Sequence, residues 1–229
     1  MREIILDTET TGIKPAEGHR IVEIGAIELV NHLPTGKTYH VHINPERDMP
    51  PEAEAVHGLT AAFLSAKPVF AKIADEFLAF IADATLVIHN ASFDLSFLNA
   101  ELGYLNYPPI LPGRVVDTLM LARAKHPMAP NSLDALCKRY AIDNSRRTKH
   151  GALLDSELLA EVYIELIGGR QTALSLASSN GKLRDLTHTT TPLAARPRPL
   201  AARLTEAELQ AHAALIQQLG PDAMWKTLA

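Results

Sequence analysis

Cysteine is almost missing from this chain. Cys137 stands alone, so no disulfide can form within the chain. Its setting, Leu133-Asp134-Ala135-Leu136-Cys137, reads as a helix interior and predicts a buried structural thiol rather than a nucleophile. Tryptophan is reduced to Trp225 and aromatics to 5%. No apolar run approaches the roughly 20 residues of a membrane-spanning helix, and Met1-Arg2-Glu3 leads straight into strand-like sequence, unlike a secretory leader. A reducing, cytoplasmic setting without membrane contact is the expectation. An excess of basic charge is lacking too. The net charge of −4 argues against tight unaided binding to nucleic acid through phosphate contacts. The charge is also uneven. Residues 1–177 hold 16 basic and 22 acidic side chains, whereas 178–204 hold Lys182, Arg184, Arg196, Arg198 and Arg203 against Asp185 alone.

What is present suits one good-sized domain with an appendage: 229 residues, 47% of them apolar. Ile4–Leu6 and Ile21–Leu29 are β-branched runs separated by Gly12, Pro15 and Gly18, and residues 38–43 alternate polar and apolar as on a half-buried strand. This predicts an antiparallel meander. Val69, Phe70, Ile73, Phe77, Leu78, Phe80 and Ile81 recur at helical spacing, and Thr85–Ile88 reads as a short buried strand. Ser92 is expected to cap a helix through Leu102, stopped by Gly103. Arg114–Val116 reads as a last strand, followed by helices near Thr118–Lys125, Ser132–Tyr140 and Leu153–Ile167. The fold class is α/β with a mixed sheet.

Beyond Ala177 the periodicity stops. Residues 178–203, with Thr189-Thr190-Thr191-Pro192 and an Arg-Pro-Arg-Pro run ending at Pro199, read as a flexible linker. Residues 204–229 then carry a capping box, Thr205 with Glu208, and an apolar face of Leu209, Ala213, Ile216 and Leu219. A single short helix is marginal in water, so this tail is expected to dock on something.

Chemistry concentrates in three places. Asp7 and Glu9 sit one residue apart at the end of the first strand, so both face the same side of it. Asp94 lies at a helix start after Ile88-His89-Asn90, and His150 precedes Asp155 near another helix. Four acids and one histidine can hold two hard divalent cations, Mg²⁺ or Mn²⁺. Such a pair activates a water for phosphodiester hydrolysis. His150 supplies a base of the type that titrates near neutrality. Zinc is disfavoured by a hard donor set without cysteine.

Asp7-Thr8-Glu9-Thr10-Thr11-Gly12, His89-Asn90-Ala91-Ser92-Phe93-Asp94 and His150-Gly151-Ala152-Leu153-Leu154-Asp155 together resemble the three motifs of the DEDD exonuclease family, histidine-containing branch. Within it, residues 1–177 are most similar to the proofreading epsilon group of bacterial replicases. The resemblance implies a ribonuclease H-like fold and 3′-to-5′ release of mononucleotides from DNA ends. It makes Asp7, Glu9, Asp94 and Asp155 the metal ligands and His150 the general base. It further implies contacts to the terminal nucleotide from Thr10, Glu52, Val56, His57, His89, Asn90 and Phe93. On residues alone, Phe93 as core, His57 as a loop residue before Gly58 and Asn90 as a turn residue stay open. His19, His32, His40 and His42 need no function beyond surface or strand positions.

Two partner signals accompany the motifs. Gln171-Thr172-Ala173-Leu174-Ser175-Leu176 resembles sliding-clamp-binding peptides, with Gln171, Leu174 and Leu176 as anchors. The layout of 204–229 resembles the segment that attaches epsilon-type exonucleases to the alpha subunit of DNA polymerase III. A stand-alone RNA-trimming nuclease of the same family, or a chain that mainly tethers and stabilises a polymerase, are the alternatives.

Overall fold

The computed structural model describes residues 1–168 and 204–219. The chain divides into two units, Met1–Ser175 and Leu176–Ala229. In the first, β1 (Arg2–Thr10), β2 (Ile21–Val30) and β3 (Leu33–His42) form the expected antiparallel meander. The β2–β3 turn is tight: Asn31 and His32 both take positive φ, 52° and 65°, the twist that suits a two-residue hairpin. That turn pairs Val30 with Leu33 and starts β3 five residues before the Thr38 expected from alternation. Then follow α1 (Pro51–His57), α2 (Ala61–Leu64), α3 (Phe70–Ile81), β4 (Thr85–Ile88) and α4 (Ala91–Tyr104). The unit ends with β5 (Val115–Asp117), α5 (Thr118–Lys125), α6 (Leu133–Tyr140) and α7 (Ala152–Leu166). The sheet order is β3-β2-β1-β4-β5, with β1, β4 and β5 parallel.

One cap differs from the sequence expectation. Asn90, not Ser92, is the residue before α4, held in the left-handed region at φ 63°, and the helix runs through Gly103 to Tyr104. Asparagine tolerates that conformation. The Asn90 N–H donates to Asp117 Oδ1 (3.2 Å), the carboxylate that also caps α5. Helix α4 is thus tied to the end of β5 by its backbone rather than by a serine hydroxyl.

Period-two alternation along β1 divides the core. Ile4 and Leu6 pack with Phe77, Leu86 and Phe97 on one face. Ile5 packs with Val87, Leu159 and Tyr163 on the other, under α7. Continuing that alternation puts Asp7 and Glu9 on the α7 face and Thr8 on the α4 face.

Glycine at position 25 decides how close α7 comes. A methyl group there would overlap the backbone of Ala152 and Leu153, and the Gly25 carbonyl accepts from Ser156 Oγ at 2.9 Å. Since Gly25 pairs with Asp7, the same contact brings the first turn of α7 beside the β1 carboxylates. Gly25→Ala is expected to destabilise the chain by about 1–3 kcal/mol through overpacking against backbone. Gly113→Ala, with open space around it, serves as the neutral control in urea unfolding.

In the second unit α8 (Glu206–Gln218) is described, opened by the expected reciprocal box between Thr205 and Glu208. Residues 171–176 and 220–229 lie outside the described residues, as does the 178–203 segment. No described helix is long and apolar enough to cross a membrane.

Candidate active site

Three elements deliver the acids. Asp7 and Glu9 come from the C-terminal end of β1, Asp94 from the first turn of α4, and Asp155 from the first turn of α7. All lie at the carboxyl edge of the parallel strands, where α/β sheets place their sites. Thr8 locks Asp94 into the group, its N–H and Oγ donating to Asp94 Oδ1 at 3.0 and 2.7 Å. Ligand atoms of Glu9, His150 and Asp155 lie within 4.8 Å of one another.

Glu9, Asp94 and Asp155 are buried, Asp7 is half-buried, and the four repel one another. Burial, followed by the charges of Asp94, Glu9 and Asp155, holds Asp7 well above the usual carboxylate range. Glu9 is pushed up to about 8, chiefly by burial and then by Asp155 and Glu23. Asp94 rises to about 7 through burial, against the lowering effect of its bonds from Thr8. Desolvated carboxylates of like charge gain most from a multivalent cation, and an all-oxygen set with one imidazole fits hard divalent ions.

Two cavities flank the acids. One, about 860 Å³, is lined by Asp7, Asp155, His150, His89, Asn90, Arg123 and Arg147 among others. The second, about 450 Å³, takes in Glu9, Thr10, Glu52, Val56, His57 and Phe93. Every terminal-nucleotide residue expected from the motifs therefore lines one cavity or the other. Phe93 serves both as core and as wall, packing on Phe97 (centroids 5.1 Å apart) while facing the smaller cavity. His57 is buried at the end of α1. Its Nδ1 accepts from the Leu59 N–H (3.0 Å), while Nε2 faces the Thr10 backbone without a full hydrogen bond.

The profile of the family described as "Exonuclease" matches residues 4–163, the span that carries all three acidic segments. The chain belongs to this exonuclease family. DNA polymerase III subunit epsilon of Rickettsia typhi is 50% identical over 222 residues, covering 96% of this chain and 97% of the relative. The subunit of that name from Escherichia coli K12 is 44% identical, covering 98% and 97%. Among solved structures, the nuclease domain of 3'hExo, a DEDDh family member bound to rAMP, superposes with a TM-score of 0.64 at 18% identity. It covers 73% of this chain and 92% of that one. Exonuclease X in complex with 5' overhanging duplex DNA gives 0.56 at 26% identity, covering 73% and 92%. The chain is a metal-dependent 3′-to-5′ exonuclease, and its family uses divalent ions.

Residues outside the motifs complete this exonuclease site. Arg147, three residues before His150, has a side chain only 7% exposed. Its Nε and Nη2 donate to Asp155 Oδ1 and Oδ2 at 2.5 and 2.7 Å, and Nη1 donates to both Asp134 oxygens at 2.8 Å. Arg147 Nη2 also meets His150 Nδ1 at 2.7 Å, while Asp155 Oδ2 lies 3.3 Å from that nitrogen. A guanidinium can only donate, so this contact makes Nδ1 the acceptor and leaves the proton on Nε2. Asp155 asks for the opposite tautomer. For Nε2 of His150 to accept a proton, Arg147 must first release Nδ1. The signal in sequence is the basic run Arg146-Arg147-Thr148-Lys149 abutting His150. His19 also gains a place that strand and surface considerations did not give it. Its ring packs on Gly12 and takes a 3.1 Å contact from Thr11 Oγ1 at the wall of the smaller cavity.

Arg147→Met is expected to destabilise the metal-free chain by about 3 kcal/mol, the low end for a broken buried pair, since the exposed Asp134 contributes little. Adding Mg²⁺ should narrow the gap, because divalent charge then replaces guanidinium at Asp155. Urea titrations with chelator and with Mg²⁺ check this.

Proposed function

We propose that this chain proofreads DNA, releasing mononucleotides from 3′ ends with two divalent ions, Mg²⁺ or Mn²⁺, held by Asp7, Glu9, Asp94 and Asp155. When bound, such ions acidify water and stabilise the leaving oxygen. The convergence of four carboxylates, three buried and Asp7 half-buried, from β1, α4 and α7 beside two cavities carries the reading. His150, half-exposed at the rim, takes the proton from the attacking water. The water oxygen bonds to the terminal phosphorus and the P–O3′ bond breaks. A 5′-mononucleotide leaves with the original 3′ hydroxyl, and the freed O3′ takes up a proton to become the new 3′ hydroxyl of the shortened strand.

The remaining roles follow from the cavity walls. Phe93 and Val56 offer the smaller cavity apolar faces for a terminal base and sugar. His57, its Nδ1 occupied and its Nε2 turned to the Thr10 backbone, braces the wall beside the terminal sugar, and Glu52 faces the 3′ hydroxyl. Arg123 lines the larger cavity, where the next phosphate would lie. His89, held by Thr118 Oγ1 at 2.9 Å, and Asn90 form its wall near Asp7.

The near full-length likeness to epsilon subunits favours DNA proofreading over stand-alone RNA trimming, and supports association with polymerase III. We assign the alpha-subunit contact to residues 204–229 and a clamp contact to Gln171, Leu174 and Leu176. Helix α8 supports the first assignment: Leu209, Leu215 and Leu219 are each about half exposed. A linker-borne tail raises effective concentration, so an acidic enzyme needs little DNA affinity of its own. The deciding experiment compares release from mismatched, matched and RNA 3′ ends by the full chain and by a chain lacking 204–229. Faster release from mismatched DNA in both, with polymerase binding lost only in the truncated chain, is expected. Preference for RNA, or loss of both activities on truncation, would overturn the reading.

A further inference from the structure

Next to the carboxylate centre, the edge of the sheet gathers a second set of metal donors. His40 and His42 lie two apart on β3, so both rings leave the same face. Glu23, on β2, pairs with His42 on β3 and with Glu9 on β1. The row Glu9, Glu23, His42 thus spans two strand spacings, about 10 Å: Glu23 is Glu9's direct neighbour, and the two histidines stand beyond it on the edge strand.

The geometry is close to a coordination shell. Glu23 Oε1 lies 2.7 Å from His40 Nε2 and 3.5 Å from His42 Nε2. One ligand atom from each residue lies within 4.8 Å of the others. The imidazole rings stand 4.9 Å apart at 59°, and His42 is braced edge-on by Phe63 at 5.0 Å. Glu23 is buried, while His40 keeps about a third of its side chain in solvent, which gives an ion a path in and room for water ligands. The other carboxylate oxygen, Oε2, accepts from the Ala152 N–H at 3.2 Å, and such outer hydrogen bonds orient ligating carboxylates.

We propose that Glu23, His40 and His42 form a second metal site that takes one borderline transition cation such as Zn²⁺ or Ni²⁺. Two imidazoles and one carboxylate are the donor set of three-ligand zinc centres with an open position, whereas Mg²⁺ prefers all-oxygen shells. The site differs in chemistry from the carboxylate centre and joins β3 and β2 to the first residue of α7 through Glu23. An ion held there stiffens the junction that positions Asp155.

The test uses the full chain, ¹⁵N-labelled, in excess Mg²⁺, with Zn²⁺ added to one equivalent. Imidazole resonances separate the sites, His150 reporting on the catalytic one. Shifts at His40 and His42 with a rise in Tm are expected. The His40→Gln/His42→Gln double variant should bind Zn²⁺ about 100-fold more weakly, since losing even an outer-shell partner costs about 10–100-fold. Its Mg²⁺-supported nucleotide release should stay within about twofold of the parent, which also reports that it folds. Should the double variant fail to fold, His40→Gln alone gives the same comparison at a partly exposed position. Unmoved His40 and His42 signals, or unchanged Zn²⁺ affinity in a folded variant, would overturn the proposal.

Discussion

Asp7→Asn is expected to cut nucleotide release by about 1,000-fold or more while making the metal-free chain more stable at neutral pH. The loss follows from removing a charge that holds cations at the reaction centre, a type of group that commonly supplies several kcal/mol. The stability gain follows from the same charge. Asp7 is desolvated beside three other carboxylates, and each raises its pKa. An amide of the same shape relieves that repulsion, by an amount on the order of 1–3 kcal/mol. Asp155→Asn gives the contrast. It should cost as much activity but lower stability, because Arg147 loses its ion pair and one of its two hydrogen bonds to the side chain. Mononucleotide release and urea unfolding, measured on both variants with chelator present in the unfolding, check the pair. Equal stability changes would show that the acids do not strain the metal-free fold.

The second large effect is a pH dependence whose sign depends on metal. Glu9 rises from 4.5 to about 8 and Asp94 from 3.8 to about 7 in the folded chain. The folded state therefore holds these protons more tightly than the unfolded state. Its stability is unimpaired below about pH 4, where both states are protonated, and falls as pH rises towards about 8. Each tenfold gain in proton affinity is worth about 1.4 kcal/mol, so the metal-free chain should lose several kcal/mol over this interval. Divalent ions bind the ionised carboxylates, so their stabilising effect should grow over the same interval. Unfolding free energies across this range, with chelator and with Mg²⁺, should diverge as pH rises. Parallel curves would contradict the assignment. Asp7→Asn should flatten the metal-free curve, which separates these groups from the rest of the chain.

Much of this is legible in sequence because the motifs coincide with element ends. Asp7 and Glu9 close an apolar run, and period two alone puts them on one face. The start of α4 misleads because Ser92 is a good cap by composition, whereas Asn90 acts through a left-handed backbone and a distant carboxylate, Asp117. Gly25 is silent in sequence, since its role is an approach by α7 from 127 residues away. Arg147 is hidden for a related reason: its partners Asp134 and Asp155 lie on two helices whose packing a one-dimensional reading cannot supply. His40 and His42 look like ordinary strand residues until the register sets Glu23 beside them.

The central claim is that these carboxylates act through two divalent ions on a DNA 3′ end. Counting bound Mn²⁺ by electron paramagnetic resonance while following terminal-nucleotide release in the same titration tests it most directly. The account predicts that the rate saturates only as the second ion fills the carboxylate centre, and that Asp7→Asn loses both rate and occupancy. Full release with one ion at that centre, or release that persists in chelator, would contradict it.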